Sequence, residues 1–237
     1  MMTVRRAAER RYERRSRQQT WQTFFTQDRS DSLAGGFKGL EGFCESRVRP
    51  DAVVTHRRPA NKEIITYVHQ GRILHDDSTG RTCLVHAGEF QTLVVAPGVT
   101  HSEVNASRTT DAHIFQMWLR PPETVLEPSH DRRHFSVAER RGRMRVVASA
   151  DARSGSLRIA EDALICSAVL DPGHHVVHEL RSGRSAWCHV IHGSVSLGGI
   201  VLSAGDGAGV TSEVVSFTAQ GEAEILLVDT RDQTPES

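Results

Sequence analysis

Residues 63–71 read Glu63-Ile-Ile-Thr-Tyr-Val-His-Gln-Gly71, an apolar, β-branched run closed by a turn glycine. Its outline returns in the second half of the chain. Tyr67-Val-His-Gln-Gly71 is answered by His189-Val-Ile-His-Gly193, and Ala87-Gly-Glu89 by Ala204-Gly-Asp206. β-Branched and aromatic residues suit a half-buried pleated surface, and glycine supplies the positive φ of a tight turn. Further runs of the same kind lie on either side. They include Thr82-Cys-Leu-Val85, Thr92-Leu-Val-Val95, His113-Ile-Phe-Gln-Met-Trp-Leu119, Arg145-Val-Val147, Ala163-Leu-Ile-Cys-Ser-Ala-Val-Leu170, Ala186-Trp-Cys-His-Val-Ile191 and Glu222-Ala-Glu-Ile-Leu-Leu-Val228. Asp76-Asp77-Ser78-Thr79-Gly80, Pro97-Gly98, Pro172-Gly173 and Gly198-Gly199 punctuate them. Many short strands between regularly spaced turns predict an all-β chain, and the internal echo predicts a duplicated small barrel. Only residues 4–18 offer a helix, so helices are expected to be minor. Pro121-Pro122, Pro128 and the charged run His130-Asp131-Arg132-Arg133-His134 interrupt the strand pattern. The break gives an N-terminal domain at 1–134 and a C-terminal domain at 135–237.

The composition narrows the function classes. The 237 residues carry 29 Lys+Arg against 29 Asp+Glu, with 13 His, so the formal net charge is zero. That balance argues against bulk attraction to nucleic acid, and no window approaches the roughly 20 apolar residues of a membrane span. All but Lys38 and Lys62 of the basic residues are arginine, which reads as codon bias. The N-terminal stretch carries seven Arg against Glu9 and Glu13 and has no apolar h-region, so a cytoplasmic location is expected. Cys44, Cys83, Cys166 and Cys188 form no CxxC pair and read as small buried residues of a reducing compartment. There is no GxSxG, Walker loop or GxGxxG.

The densest polar cluster is Ala96-Pro-Gly-Val-Thr-His101-Ser-Glu103-Val-Asn105. Alternation along a strand points His101 and Glu103 to one face and Ser102 to the other. An imidazole and a carboxylate on one face can supply two metal ligands. They equally suit a hydrogen-bonded pair in a barrel mouth, because a mononuclear site usually needs at least three protein ligands.

Pro97-Gly98-x-x-His101-x-x-x-Asn105 resembles the second cupin motif. Together with Glu63–Gly71, His75-Asp-Asp-Ser78, Ala87-Gly-Glu-Phe-Gln91, His101-Ser-Glu103, Phe115-Gln-Met-Trp-Leu119, Gly183-Arg-Ser-Ala-Trp187 and Ser203-Ala-Gly-Asp-Gly-Ala208, it makes the chain resemble the pirin family of bicupins over nearly its whole length. The resemblance implies two tandem cupin barrels of double-stranded, jelly-roll type. It implies a metal, commonly iron, in the first barrel, held by the two His of an HxH pair and the His and Glu of an HSE segment. Some members have quercetin 2,3-dioxygenase activity, and the eukaryotic member acts as a transcriptional cofactor. The HSE pair carries over onto His101 and Glu103.

The HxH pair does not. An ungapped alignment places those histidines on Arg57 and Pro59. His56 is one residue away, and one step along a strand reverses the face, so it ligates only through a bulge, an irregularity with which Pro59 is compatible. Two readings follow. In one, a single mononuclear divalent metal, iron first, is held by His56, His101 and Glu103, and the chain is a dioxygenase related to quercetinase. In the other, no metal is bound, and Arg57 is a metal-replacing cation paired with Glu103, since guanidinium is always charged and matches a carboxylate bidentately. The chain is then a binding or regulatory module taking a small aromatic ligand or a protein partner. The missing HxH pair favours this second reading. His75 with Asp76-Asp77 reads as a solvated turn. In the second half His178 could meet His189 or His192 across strands, but Gly209-Val-Thr-Ser-Glu213 holds no second-motif histidine, so that barrel is expected to be closed and metal-free.

Overall fold

The computed structural model describes residues 2–25, 31–54, 62–78, 80–94, 100–120 and 129–232. Contacts divide the chain into two units. One comprises Arg11–Gly35 and Glu41–Phe135, the other Met1–Arg10, Gly36–Leu40 and Ser136–Ser237.

The strands of the first half are β1 (Met2–Arg5), β2 (Arg11–Arg15), β3 (Gln18–Gln22), β4 (Leu40–Val48), β5 (Glu63–Gln70), β6 (Arg72–Asp77), β7 (Thr82–His86), β8 (Glu89–Val94), β9 (His101–Asn105), β10 (Ala112–Leu119) and β11 (Ser129–His134). A single turn of α-helix, α1 (Val137–Arg140), follows, capped reciprocally by Ser136 and Glu139. Beyond it come β12 (Arg145–Ser149), β13 (Leu157–Arg158), β14 (Ala163–Leu170), β15 (His175–Glu179), β16 (Arg184–His192), β17 (Ser194–Leu197), β18 (Ile200–Ser203), β19 (Gly207–Val210), β20 (Val214–Ala219) and β21 (Ala223–Arg231).

Each unit pairs a seven-stranded sheet with a smaller one. The first has β11-β8-β5-β10-β4-β3-β2 and β7-β6-β9; the second has β1-β19-β16-β21-β14-β12-β13 and β15-β20-β17-β18. The echo in the sequence is an echo in hydrogen bonding. In the first unit Ala87 N–H donates to Gly71 C=O and Gly88 N–H to Val68 C=O; in the second Ala204 N–H donates to Gly193 C=O and Gly205 N–H to Val190 C=O. Glu89 accepts from His86 N–H, three residues back, and Asp206 from Ser203 N–H, also three back. Gly71 and Gly193 both have positive φ, 80° and 71°, where a Cβ would be strained.

Two expectations are corrected. Residues 4–18 are not helical: β1 and β2 flank a short 3₁₀ turn at Ala7–Glu9. Long-range pairing overrides local propensity here. β1 pairs with β19, and Asp206 accepts from Arg6 Nη1 at 2.8 Å and Ala7 N at 2.7 Å. These ties group the first ten residues with the C-terminal unit. The charged run at 129–134 is also a strand, β11, paired with β8 from Ser129 opposite Val94 to His134 opposite Glu89. As an edge strand it tolerates solvent-facing charge.

Candidate functional site

The site lies inside the first barrel. On β5, Thr66 and Val68 share a face, and the register sets Gln116 and Ile114 of β10 opposite them. On β6, Ile73 and His75 share a face, and His75 stands directly opposite both Glu103 of β9 and Cys83 of β7. On β11, His130 and Arg132 sit opposite Leu93 and Gln91 of β8. One end of this interior is apolar, with Val48, Val68, Ile73, Val85 and Ile114 packed together. The other end is polar.

His75 and Glu103 are each 1% exposed. His75 Nδ1 is 3.7 Å from Glu103 Oε1, an ion-pair distance too long for a hydrogen bond. The other carboxylate oxygen accepts from Gln116 Nε2 at 3.0 Å, and the same amide nitrogen donates to Thr66 Oγ1 at 3.1 Å. The His75 ring lies nearly parallel to those of His101 and His130, with centroids 5.6 and 5.0 Å away and interplanar angles of 21° and 20°. Among the described residues, neither ring nitrogen of His75 nor Gln116 Oε1 has a hydrogen-bond partner, although all three atoms are buried. Burial and the neighbouring His75 hold the His130 imidazole below its ordinary pKa, Arg81 acting the same way and Asp131 and Asp77 opposing.

Comparison with the second barrel shows what is special here. Counting along the strands from the equivalent glycines Gly71 and Gly193, His75 corresponds to Leu197 and Thr66 to Cys188. The cross-strand registers then match Glu103 with Phe217 and Gln116 with Leu227. All four counterparts belong to one large buried apolar cluster. The second barrel is sealed by hydrocarbon where the first holds polar groups. An ionic feature of that unit is Asp229, 1% exposed, which pairs with His178 Nε2 at 2.8 Å and Arg184 Nε at 2.6 Å. His178 therefore meets Asp229 rather than His189 or His192, and His192 is exposed.

The chain matches the family profile described as "Pirin" over residues 4–119 and that described as "Quercetinase C-terminal cupin domain" over residues 146–230. It is 31% identical over 230 residues to a quercetin 2,3-dioxygenase of Escherichia coli strain K12, covering 97% of this chain and 98% of that protein. The chain belongs to the pirin family. Another relative, a pirin-like protein of Caulobacter vibrioides, is 32% identical over 192 residues, 80% of this chain and 82% of its own. Among solved structures, the bacterial pirin YhhW from Escherichia coli, in complex with nickel(II), superposes with a TM-score of 0.87 at 30% identity over 98% of this chain and all of that one. The fold is thus all-β, a bicupin of two tandem jelly-roll barrels with a minor helix.

His101 and Glu103 share the inner face of β9, where the HSE motif puts them. No three His, Cys, Asp or Glu side chains among the described residues come together as metal ligands. His56, Arg57 and Pro59 lie outside the described residues. Three residues of the site were missed in the sequence. His75, read as a solvated turn, is buried; Gln116 was hidden in an apolar run; and His130 was taken for part of a charged break. The signal for His75 was the alternation of Arg72-Ile-Leu-His-Asp-Asp77, which puts it on the face of Ile73.

Proposed function

We propose that this pirin-family chain is a binding or regulatory bicupin with a degenerate metal site in its first barrel. The ligand expected there is small and polar or aromatic, and quercetin 2,3-dioxygenase activity is weak or absent. One observation carries the proposal: Glu103 is served by Gln116 and faces His75, while His75 Nδ1, His75 Nε2 and Gln116 Oε1 are buried toward the same interior without partners among the described residues. A buried polar atom left unmet costs about 1–3 kcal/mol, so such a group is best understood as one that a ligand or ordered water completes. The sequence supports the degenerate site, because Arg57 and Pro59 occupy the positions that align with the HxH pair. Arg57 is proposed as the cation that answers Glu103 in place of a metal.

A second reading rests on the relatives. One named quercetin 2,3-dioxygenase spans the chain end to end, and a pirin at 30% identity is known with nickel. On that reading His56, His101 and Glu103 hold a divalent metal and the chain acts on a flavonol. Metal content and oxygen uptake with quercetin separate the two. The proposal expects substoichiometric metal after purification and uptake that does not rise with added Fe(II) or Ni(II). Stoichiometric metal, lost together with activity in His101→Ala, would establish the second reading.

A further inference from the structure

One buried side chain of the first barrel enters none of the reasoning above. Gln91 lies on β8, 1% exposed, and its Nε2 is buried without a hydrogen-bond partner among the described residues. The register sets Gln91 opposite Thr66 of β5, and Gln116 of β10 opposite the same threonine on its other side. Directly opposed residues share a face of the sheet, so Gln116, Thr66 and Gln91 form one polar row across three strands on the inner side. In the second barrel the matching row is Leu227, Cys188 and Ala208, and all three belong to its buried apolar cluster. Hydrocarbon closes that barrel at this level, so the architecture itself does not require two buried amides.

The two amides are left unmet in opposite senses. Gln116 commits its Nε2 to Glu103 Oε2 and Thr66 Oγ1, and its buried Oε1 remains as an acceptor. Gln91 is left with a donor. A carboxylate or phosphate has no hydrogen to give Gln116 Oε1, and it would enter beside the Glu103 carboxylate. An ammonium group has no lone pair for Gln91 Nε2. A group that answers both is neutral and carries a donor and an acceptor. Neighbouring strands lie about 4.8 Å apart, so the two glutamines are rooted about 10 Å apart, one on each side of Thr66. That spread suits a carboxamide, whose donor and acceptor sit on different atoms, better than a hydroxyl, where both meet on one oxygen. Two residues along the same strands, on the same face, Trp118, Ile64 and Leu93 stand in a row and pack together. Ile64 and Leu93 are buried and Trp118 is half-buried. The two rows are about 6.7 Å apart, so a ring against the apolar row brings a directly attached group toward the glutamines.

We propose that the first barrel takes a neutral aromatic carboxamide. Its carbonyl oxygen accepts from Gln91 Nε2, its N–H donates to Gln116 Oε1, and its ring lies on Ile64 and Leu93 beside Trp118. The proposal rests on the reading of this barrel as a binding site and names the class of ligand.

The test titrates the full-length protein with benzamide, benzoate, benzylamine and benzyl alcohol, which share a ring and differ in the polar group, and with quercetin in parallel. Calorimetry gives the affinities, and tryptophan fluorescence locates the ring. Benzamide is expected to bind most tightly of the four and to change a fluorescence signal that is lost in Trp118→Phe. Gln91→Met keeps the length of the side chain and removes its amide. It should weaken benzamide by about five- to tenfold, the scale of one hydrogen bond, and leave the weaker binding of benzoate unchanged. Benzamide that binds no better than benzoate, benzylamine or benzyl alcohol would overturn the proposal. So would unchanged benzamide affinity in a Gln91→Met protein whose melting curve shows it folded. If quercetin still binds in either case, the ligand class alone fails and the binding reading stands. Oxygen uptake with quercetin that rises with added Fe(II) would instead remove the reading on which the proposal rests.

Discussion

His75 and Glu103 face each other across β6 and β9, both almost fully buried, with Nδ1 3.7 Å from Oε1. The equivalent pair in the second barrel is Leu197 and Phe217. The fold therefore accepts hydrocarbon at both places, and the polar pair in the first barrel is kept against the interest of stability. His75→Leu copies the second barrel and removes two buried nitrogens that have no partner among the described residues. It should stabilise the first unit by about 1–2 kcal/mol, the scale of relieving an unmet buried polar group, and abolish binding of quercetin-like ligands. Urea unfolding and calorimetric titration on one preparation test both halves; a destabilised protein with intact binding would contradict the assignment.

Gln116→Leu also copies the second barrel, where Leu227 stands, yet its effect should have the opposite sign. Gln116 Nε2 donates to both Glu103 Oε2 and Thr66 Oγ1, so losing it leaves a buried carboxylate oxygen and a buried hydroxyl without that donor. A loss of about 1–3 kcal/mol is expected in urea unfolding. Equal effects of the two leucine substitutions would mean that the hydrogen bonds of Gln116 contribute nothing.

The architecture was legible because its signals are local. Gly71 and Gly193 mark the same turn in each barrel, and the apolar run Ala163–Leu170 coincides with β14. The candidate site was legible only where a motif marked it, at His101 and Glu103. His75, Gln116 and His130 come from three strands distant in sequence, and their meeting is a matter of register, which no local pattern states. The error at residues 4–18 has the same origin, since β1 is a strand because of β19. The run 129–134 misled in another way: an edge strand can be mostly charged and still direct a side chain inward, as His130 does in stacking on buried His75.

Acidification should weaken the first unit through His130. Its imidazole sits below its ordinary value near 6.5 because burial and His75 disfavour the charged form, with Arg81 assisting and Asp131 and Asp77 opposing. The unfolded chain takes up the proton first, so stability is complete above about pH 6.5 and is lost as pH falls from there toward the lower folded value. His130→Gln should flatten that part of the pH dependence of the urea midpoint while leaving the slope at lower pH, where carboxylates titrate. An unchanged profile in the variant would show that His130 is not the group responsible.

The second barrel should depend on the cluster that closes its end. Asp229 is 1% exposed and accepts from Arg184 Nε at 2.6 Å and pairs with His178 Nε2 at 2.8 Å. Asp229→Ala leaves the Arg184 guanidinium, itself mostly buried, with Asp162 and the backbone carbonyls of Asp162 and Asp229 as its remaining partners among the described residues. Removing one member of a buried ion pair typically costs about 3–5 kcal/mol because the remaining charge is left uncompensated. The double replacement Asp229→Leu with Arg184→Met removes both charges together and should recover most of that loss. Unfolding of the three proteins, compared with the parent as a double-mutant cycle, gives the coupling energy directly. A coupling near zero would mean that each charge is adequately solvated alone, and that the barrel end is open to water.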